Sequence, residues 1–179
     1  MSGDILHPRK EIRDAVFDIL KERVSGIKSF SKNRFRSFWE DSDLPALGVY
    51  TLQESSEVFD EAPRSLKRIL TLVVEIVVQA DEKLDDLLDQ LSLAVENAIH
   101  VDETLRCKAS DCRLVGTDLM QKTEGDTLTG SALLSFEVKY FADAPSQQVL
   151  NNYNGADFTI AVGDANTVDL EGAADVNPL

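Results

Sequence analysis

Apolar residues recur along this chain with two different periods, and each change of period marks a new element. Over residues 8–24, Ile12, Val16, Ile19, Leu20 and Val24 return at helical spacing with Ala15 beside them, which predicts an amphipathic helix. Pro8 suits the first helical position, and Ser25-Gly26 supplies a stop. Leu44–Leu52 predicts a strand, with Gly48 at a close approach. Leu66–Val78 then alternates with period two. Leu66, Arg68, Leu70, Leu72, Val74, Ile76 and Val78 share one face, and Lys67, Ile69, Thr71, Val73, Glu75, Val77 and Gln79 share the other. The first face is almost wholly apolar and must pack on helices, while the second is mixed. Some thirteen residues at ~3.3 Å each span roughly 40 Å, against ~5–6 residues for an ordinary strand. The helical period returns over Asp81–Ile99, where Leu84, Leu87, Leu88, Leu91, Ala94, Val95, Ala98 and Ile99 form a stripe. Asp81, Glu82, Asp85 and Asp86 match the positive end of that helix dipole and lack the ligand spacing of a calcium loop. Cys112–Lys122 and Thr127–Phe141 predict a second strand pair around a Thr123–Asp126 turn. The expected fold is α+β, a mainly antiparallel sheet of long strands packed against two helices.

Three segments fall outside these periods. Gln53–Pro63 is acidic and ends in Ala-Pro, so it is expected to be a loop. Eleven residues is long for a hairpin connection and suits an arm that reaches a neighbour. Glu54, Glu57, Asp60 and Glu61 on it are candidates for contacts with a neighbouring subunit or another assembly component. Ile27–Trp39 carries Lys28, Lys32, Arg34 and Arg36 without an acid among them, interleaved with Phe30, Phe35, Phe38 and Trp39. Basic residues between aromatics suit single-stranded nucleic acid, or a loop whose rings cap the core and whose charges face water. The best reading is a patch for an acidic protein partner, with Lys28, Lys32, Arg34 and Arg36 as the partner-binding residues. From Ala142 onward there is no Lys or Arg and there are six acids. Residues 142–179 are therefore expected as an acidic extension, mobile or ordered on assembly, after a folded domain spanning 1–141.

Charge narrows the function classes. The formal net charge is -14 and the pI about 4.4. Removing the six acids of the extension leaves -8 on residues 1–141, still far from the basic balance that gripping a polyanion needs. Aromatic residues are 7% of the chain, so aliphatic side chains must fill the core. Cys107 and Cys112 with only His7 and His100 do not make a zinc site and are expected to be reduced thiols. No run approaches the ~20 apolar residues of a membrane span, and no basic-then-apolar leader follows Met1, so no membrane contact and a cytoplasmic site of assembly are expected. No phosphate loop or nucleophile elbow is present. The expectation is a protein that binds without catalysing, with no catalytic residue, cofactor or metal.

The order of elements resembles the lambda-type tail terminator proteins of long-tailed bacteriophages, the minor tail protein U family. The resemblance rests on the opening helix with Arg13, Ala15, Val16 and Leu20, and on the Asp43-Leu-Pro-Ala-Leu-Gly-Val-Tyr50 strand. It also rests on the long strand ending Glu75-Ile-Val-Val, the Leu84-Asp-Asp-Leu-Leu helix and the last strand through Leu134–Tyr140. It covers roughly residues 6–141 and includes no catalytic signature. The extension from Ala142 has no counterpart in it, and Ile27–Arg36 is more basic than the family pattern. The resemblance implies a tail-tube-like fold and a homohexameric ring at the head-proximal end of the tail tube. Such a ring halts tube polymerisation and then receives the head. The implied partners are further copies of the chain, the tail tube protein and a head completion or connector protein. DNA passes through the pore without specific binding, and the implied location is the virion tail after assembly in the host cytoplasm. A related connector, baseplate or tail completion protein is the alternative on the same fold, and a single-stranded nucleic-acid-binding module is the alternative from another class.

Overall fold

A computed structural model describes residues 7–32, 43–79, 83–124 and 127–143. Seven elements follow in chain order: α1 (Pro8–Arg23), β1 (Ser29–Ser31), β2 (Ala46–Glu61), β3 (Arg64–Gln79), α2 (Leu84–His100), β4 (Asp111–Glu124) and β5 (Thr127–Asp143). They form one five-stranded sheet in the order β1-β2-β3-β5-β4, antiparallel except for the short parallel contact of β1 with β2. The α+β class and the mainly antiparallel sheet on two helices are as expected from the periodicity. Ala142 and Asp143, expected to begin the acidic extension, are instead the last residues of β5, paired with Leu66 and Ser65; the rest of the extension, residues 144–179, lies outside the described residues.

Both helices lie on the same face of the sheet. α1 contributes Ile12, Ala15, Val16, Ile19 and Leu20, and α2 contributes Leu84, Leu88, Leu91, Val95, Ala98 and Ile99. They meet Leu47 and Val49 of β2, alternate residues of β3 from Leu70 to Val78, and Ala132, Leu134, Phe136 and Val138 of β5. Register explains why these side chains coincide. Ile76 lies between Leu47 and Ala132, and Val74 between Val49 and Leu134, so successive rungs put three apolar side chains on one face. His7 caps α1, its Nδ1 accepting from the Arg9 N–H at 3.3 Å. At the other end of α1, Arg23 donates to the Ala98 carbonyl at 2.9 Å and ties the two helices together.

The largest departure from expectation lies between Gln53 and Pro63. This segment is strand: β2 continues to Glu61, the turn is only Ala62-Pro63, and β3 begins at Arg64. Two register shifts, at Leu52 and at Phe59, each insert one extra residue into β2. A bulge reverses the in–out alternation beyond it, and every residue of 53–61 except Glu54 is exposed, so period two is lost from the sequence. The order comes from pairing to β3. At ~3.3 Å per residue the sixteen-residue hairpin strands reach roughly 50 Å.

The sheet is staggered. β4 joins β5 only as far as Asp111 opposite Lys139, so β5 residues 140–143 pair with β3 alone beside the β2–β3 tip. At the opposite end the β4–β5 ladder runs past Gln79, the last residue of β3. The two hairpins therefore project from opposite ends of the sheet.

The link from α2 to β4 holds three consecutive residues in the left-handed region, Leu105, Arg106 and Cys107, at φ 51°, 59° and 63°. None is glycine, and each such residue costs roughly 1 kcal/mol. Asp102 offsets part of that cost by accepting from Thr104 Oγ1 at 2.7 Å and the Arg106 N–H at 2.9 Å. These hydrogen bonds, that from Thr104 foremost, hold its carboxyl below the usual range. Leu105 is fully buried and anchors the turn.

Gly130 is where α2 comes closest to β5. A Cβ there would lie 2.9 Å from Leu88 Cδ1 and 3.0 Å from Leu84 Cγ. Gly130→Ala is expected to lower stability by about 1–3 kcal/mol, read by urea denaturation. An unchanged midpoint would mean that α2 does not pack this closely.

Candidate assembly surfaces

The β2–β3 arm has a charged base and an aromatic tip. At the base, three groups from three different elements converge on the Glu54 carboxylate. Arg68 Nη1 on β3 lies 3.2 Å away and Arg9 Nη1 on α1 3.4 Å away, and the Tyr140 hydroxyl on β5 donates to Oε1. The Glu54 side chain is 11% exposed and that of Arg68 21%. Burial, then the neighbouring carboxylate, pushes the Tyr140 phenol up to about 12. Arg68 Nε is buried without a partner among the described residues. Glu54 is thus satisfied inside the chain. Arg68 interrupts an otherwise apolar face of β3, and a half-buried guanidinium requires a carboxylate. That requirement was a legible sign that some acid folds back on it.

Glu57, Asp60 and Glu61, by contrast, are exposed along the arm. Glu57 pairs with Lys67 at 3.0 Å and Glu61 with Arg64 at 3.3 Å, while Asp60 Oδ1 accepts from the Ala62 N–H. Exposed pairs of this kind contribute at most ~1 kcal/mol, so these carboxylates remain open to a partner. Beside them Phe59, 64% exposed in its bulge, meets Phe141 edge to face with ring centroids 4.8 Å apart. Strand order puts β3 between those two residues, so the rings close over it.

Of the four candidate cations, Lys28 and Lys32 are described, and Arg34 and Arg36 lie outside the described residues. Lys28 is exposed; its backbone N–H donates to the Pro45 carbonyl at 2.8 Å. Lys32 turns back onto α1. It sits 4.5 Å from the Phe17 ring centroid and pairs with Asp14 at 3.0 Å and Asp18 at 4.0 Å. Hydrogen bonding from Lys10, then from Lys32, holds the Asp14 carboxyl below its ordinary value. Neutralisation of Lys32 within the chain weakens this segment as a grip for polyanions.

The sheet face opposite the helices carries Ile69, Thr71, Glu75 and Val77 of β3, all half-buried. Across β4 and β5 the same face holds a charge ladder. Arg113 pairs with Glu137 at 2.8 Å, and Lys139 with Asp111 at 3.1 Å. Glu75 stands between Gly48 and Leu133, and burial pushes its carboxyl up. The sheet also has two different open edges. β1 covers only Ala46–Gly48 of β2, and no strand among the described residues pairs with the outer edge of 53–61. The outer edge of β4 is likewise open among the described residues, and it exposes Val115, Leu119 and Met120. Open edges with large apolar side chains are usual targets for added strands.

The reactive side chains form no constellation with these surfaces. Cys107 is exposed and Cys112 buried, and neither is in a disulfide. Burial, then Asp111, pushes the Cys112 thiol up to about 12, which leaves it unreactive. His100 pairs with Glu103 at 2.7 Å at the rim of a cavity of about 290 Å³ over Ile99, Cys112, Leu114 and Phe136. Among the described residues no group of three or more His, Cys, Asp or Glu side chains could hold a metal ion, and no helix is long and apolar enough to cross a membrane.

A family model described as phage minor tail protein U matches residues 7–140, three-quarters of the chain. It spans every described element except the last three residues of β5. No curated protein matches the chain.

Glu54→Ala is expected to destabilise the fold by about 2–3 kcal/mol, because it leaves Arg68 half-buried without a counter-charge. In an Arg68→Met background the same change should cost at least about 1 kcal/mol less. Equal costs in the two backgrounds would show that the carboxylate and the guanidinium are not coupled. Glu75 acts in the opposite sense. Burial raises its folded pKa above the ordinary glutamate value, so its contribution favours folding at low pH and is lost as pH rises through the raised folded value. Ionised at neutral pH, it opposes folding. Glu75→Gln is expected to raise the melting temperature at about pH 7 but not below about pH 4; an equal effect at both would rule out this linkage.

Proposed function

We propose, for a chain that belongs to the phage minor tail protein U family and is therefore a structural component of the virion tail, that it is the tail terminator. Six copies close into a ring on the head-proximal end of the tail tube. The ring stops further tube subunits from adding and presents its other face to a head completion or connector protein. The observation that carries this reading is the staggered sheet, whose two hairpins project from opposite ends and whose two edges differ. A cap needs two unlike ends, one that matches the tube and one that refuses another tube subunit. A ring needs two unlike, mutually complementary sides, because a head-to-tail contact closes only when one patch meets a different one.

Four roles follow from placement. Glu57, Asp60 and Glu61 on the exposed arm make the tube or subunit contacts, and Glu54 positions that arm from its base. Lys28 supplies partner-facing positive charge, and Lys32 holds β1 against α1. Arg34 and Arg36 are assigned to the same partner contact as Lys28 on their sequence alone. Six copies carry six times -14, or -84 formal charges. A pore in so acidic an assembly repels the DNA backbone and lets the genome slide through without sticking. We assign the acidic extension beyond Asp143 to contacts made on assembly; Ala142 and Asp143 already pair with Leu66 and Ser65 of β3.

Tails assembled without this chain are expected to be overlong, variable in length and unable to join heads. An antibody label on intact tails is expected at the head-proximal end in negative stain. Normal tail lengths, or label at the distal tip, would overturn the terminator role and favour the connector or baseplate alternative.

A further inference from the structure

The two sides of the sheet carry opposite charge in an otherwise acidic protein. Residues 8–32, which form α1 and β1 at one edge, hold seven basic and four acidic side chains, a balance of +3. Residues 83–124, which form α2 and β4 at the other edge, hold five basic and nine acidic ones, a balance of -4. Internal pairing sharpens the contrast. Arg106 pairs with Glu22 at 2.7 Å and Lys108 with Glu11 at 3.2 Å. These pairs remove two cations from the acidic side and two acids from the basic side.

The acidic side is also grooved. α2 covers β3 and β5 but leaves the helix-side face of β4 partly bare. Leu119 is 55% exposed there and Leu114 36%, and across the groove Leu93 on α2 is 58% exposed. Asp85, Asp89, Leu93, Glu96 and His100 fall at helical spacing on the flank of α2 facing β4. The bond from Gln121 to Asp85 at 2.6 Å marks one end of that flank, and the 290 Å³ cavity walled by Glu96 and His100 marks the other. Asp89 and Glu96 have no ion-pair partner among the described residues. On the opposite side of the sheet, Lys21 and Lys28 are exposed and equally unpaired among the described residues. They flank Phe17, Ile27 and Phe30, which are only half-buried.

We propose that the groove between α2 and β4 receives the α1–β1 flank of a second copy of this chain. Lys21 and Lys28 oppose Asp89 and Glu96, and Phe17 and Ile27 rest on Leu93, Leu114 and Leu119. The contact rests on the ring reading and names the surfaces by which one protomer meets the next. It joins unlike patches, so it propagates head to tail and closes by rotation. Its charges select the correct side and its apolar floor supplies affinity.

Charge exchange tests it on the full chain. Lys21→Glu with Lys28→Glu puts negative charge at the contact points on both sides, and Asp89→Lys with Glu96→Lys puts positive charge at the contact points on both sides. Sedimentation velocity and native mass spectrometry should show the wild type assembling, and each double variant remaining monomeric at concentrations at least tenfold higher. Circular dichroism should show both variants folded. An equimolar mixture of the two is expected to restore assemblies with equal numbers of each, because every interface then pairs opposite charges, a basic flank on an acidic groove alternating with an acidic flank on a basic groove. All four changes in one chain should restore assembly as well. Assembly of either double variant at the wild-type concentration, failure of the folded mixture to associate, or a wild type that stays monomeric throughout would overturn the contact. Tail length separates this from the terminator role. If the wild type and both double variants all restore normal lengths to tails lacking the chain, this contact is wrong and the terminator role stands. If the wild type restores none, the terminator role itself fails.

Discussion

β3 is the constraint on which the rest of the structure depends. It is paired on both sides through almost its whole length, to β2 from Ala46 to Glu61 and to β5 from Thr129 to Asp143. Those two registers decide which side chains share a face. One face receives Leu70, Leu72, Val74, Ile76 and Val78 and must be covered by both helices. A one-residue slip would turn that row to the other face and replace it with Thr71, Val73, Glu75 and Val77. The same strand continues past the helices, so the arm is an extension of the core ladder rather than a separate loop. Arg68 marks the boundary between the two regimes. It sits where apolar burial ends, and Glu54 answers it from the neighbouring strand.

The path from this constraint to function runs through asymmetry. A sheet covered by helices on one face, with hairpins leaving from opposite ends and different edges at its two sides, offers no surface that repeats itself. Head-to-tail closure requires unlike patches on the two sides of one protomer, and such a body presents them. Membership in a phage tail family supplies the setting for the proposed ring. In the proposed ring, the charge division between α1–β1 and α2–β4 sets the direction of closure.

Much of the fold was legible in the sequence because burial imposes period. Ile12 to Leu20 and Leu84 to Ile99 reported their helices, and Leu66 to Val78 reported a strand, because each has one dry face. The lapse at 53–63 has the same cause. Leu52 and Phe59 sit in bulges, the intervening residues other than Glu54 are exposed, and glutamate and serine have low strand propensity. Only the partner strand makes that stretch extended. The turn at Leu105–Cys107 was equally hidden, since no glycine announces its left-handed backbone and Asp102 stabilises it from three residues upstream. Of the candidate contact residues, sequence reasoning placed Glu57, Asp60, Glu61 and Lys28 on the surface. It could not foresee that Glu54 and Lys32 turn inward, because their partners come from other elements: Arg9, Arg68 and Tyr140 for the first, Asp14, Asp18 and Phe17 for the second.

The central claim is that identical protomers of this shape close side by side around a hole. An electron cryomicroscopy reconstruction of the neck of the assembled virion tests it most directly. The account predicts one six-fold ring between tube and head, fitted by this fold, with the α2–β4 side of each protomer against the α1–β1 side of the next. A neck without such a ring, or this fold placed only at the distal tip, would contradict it.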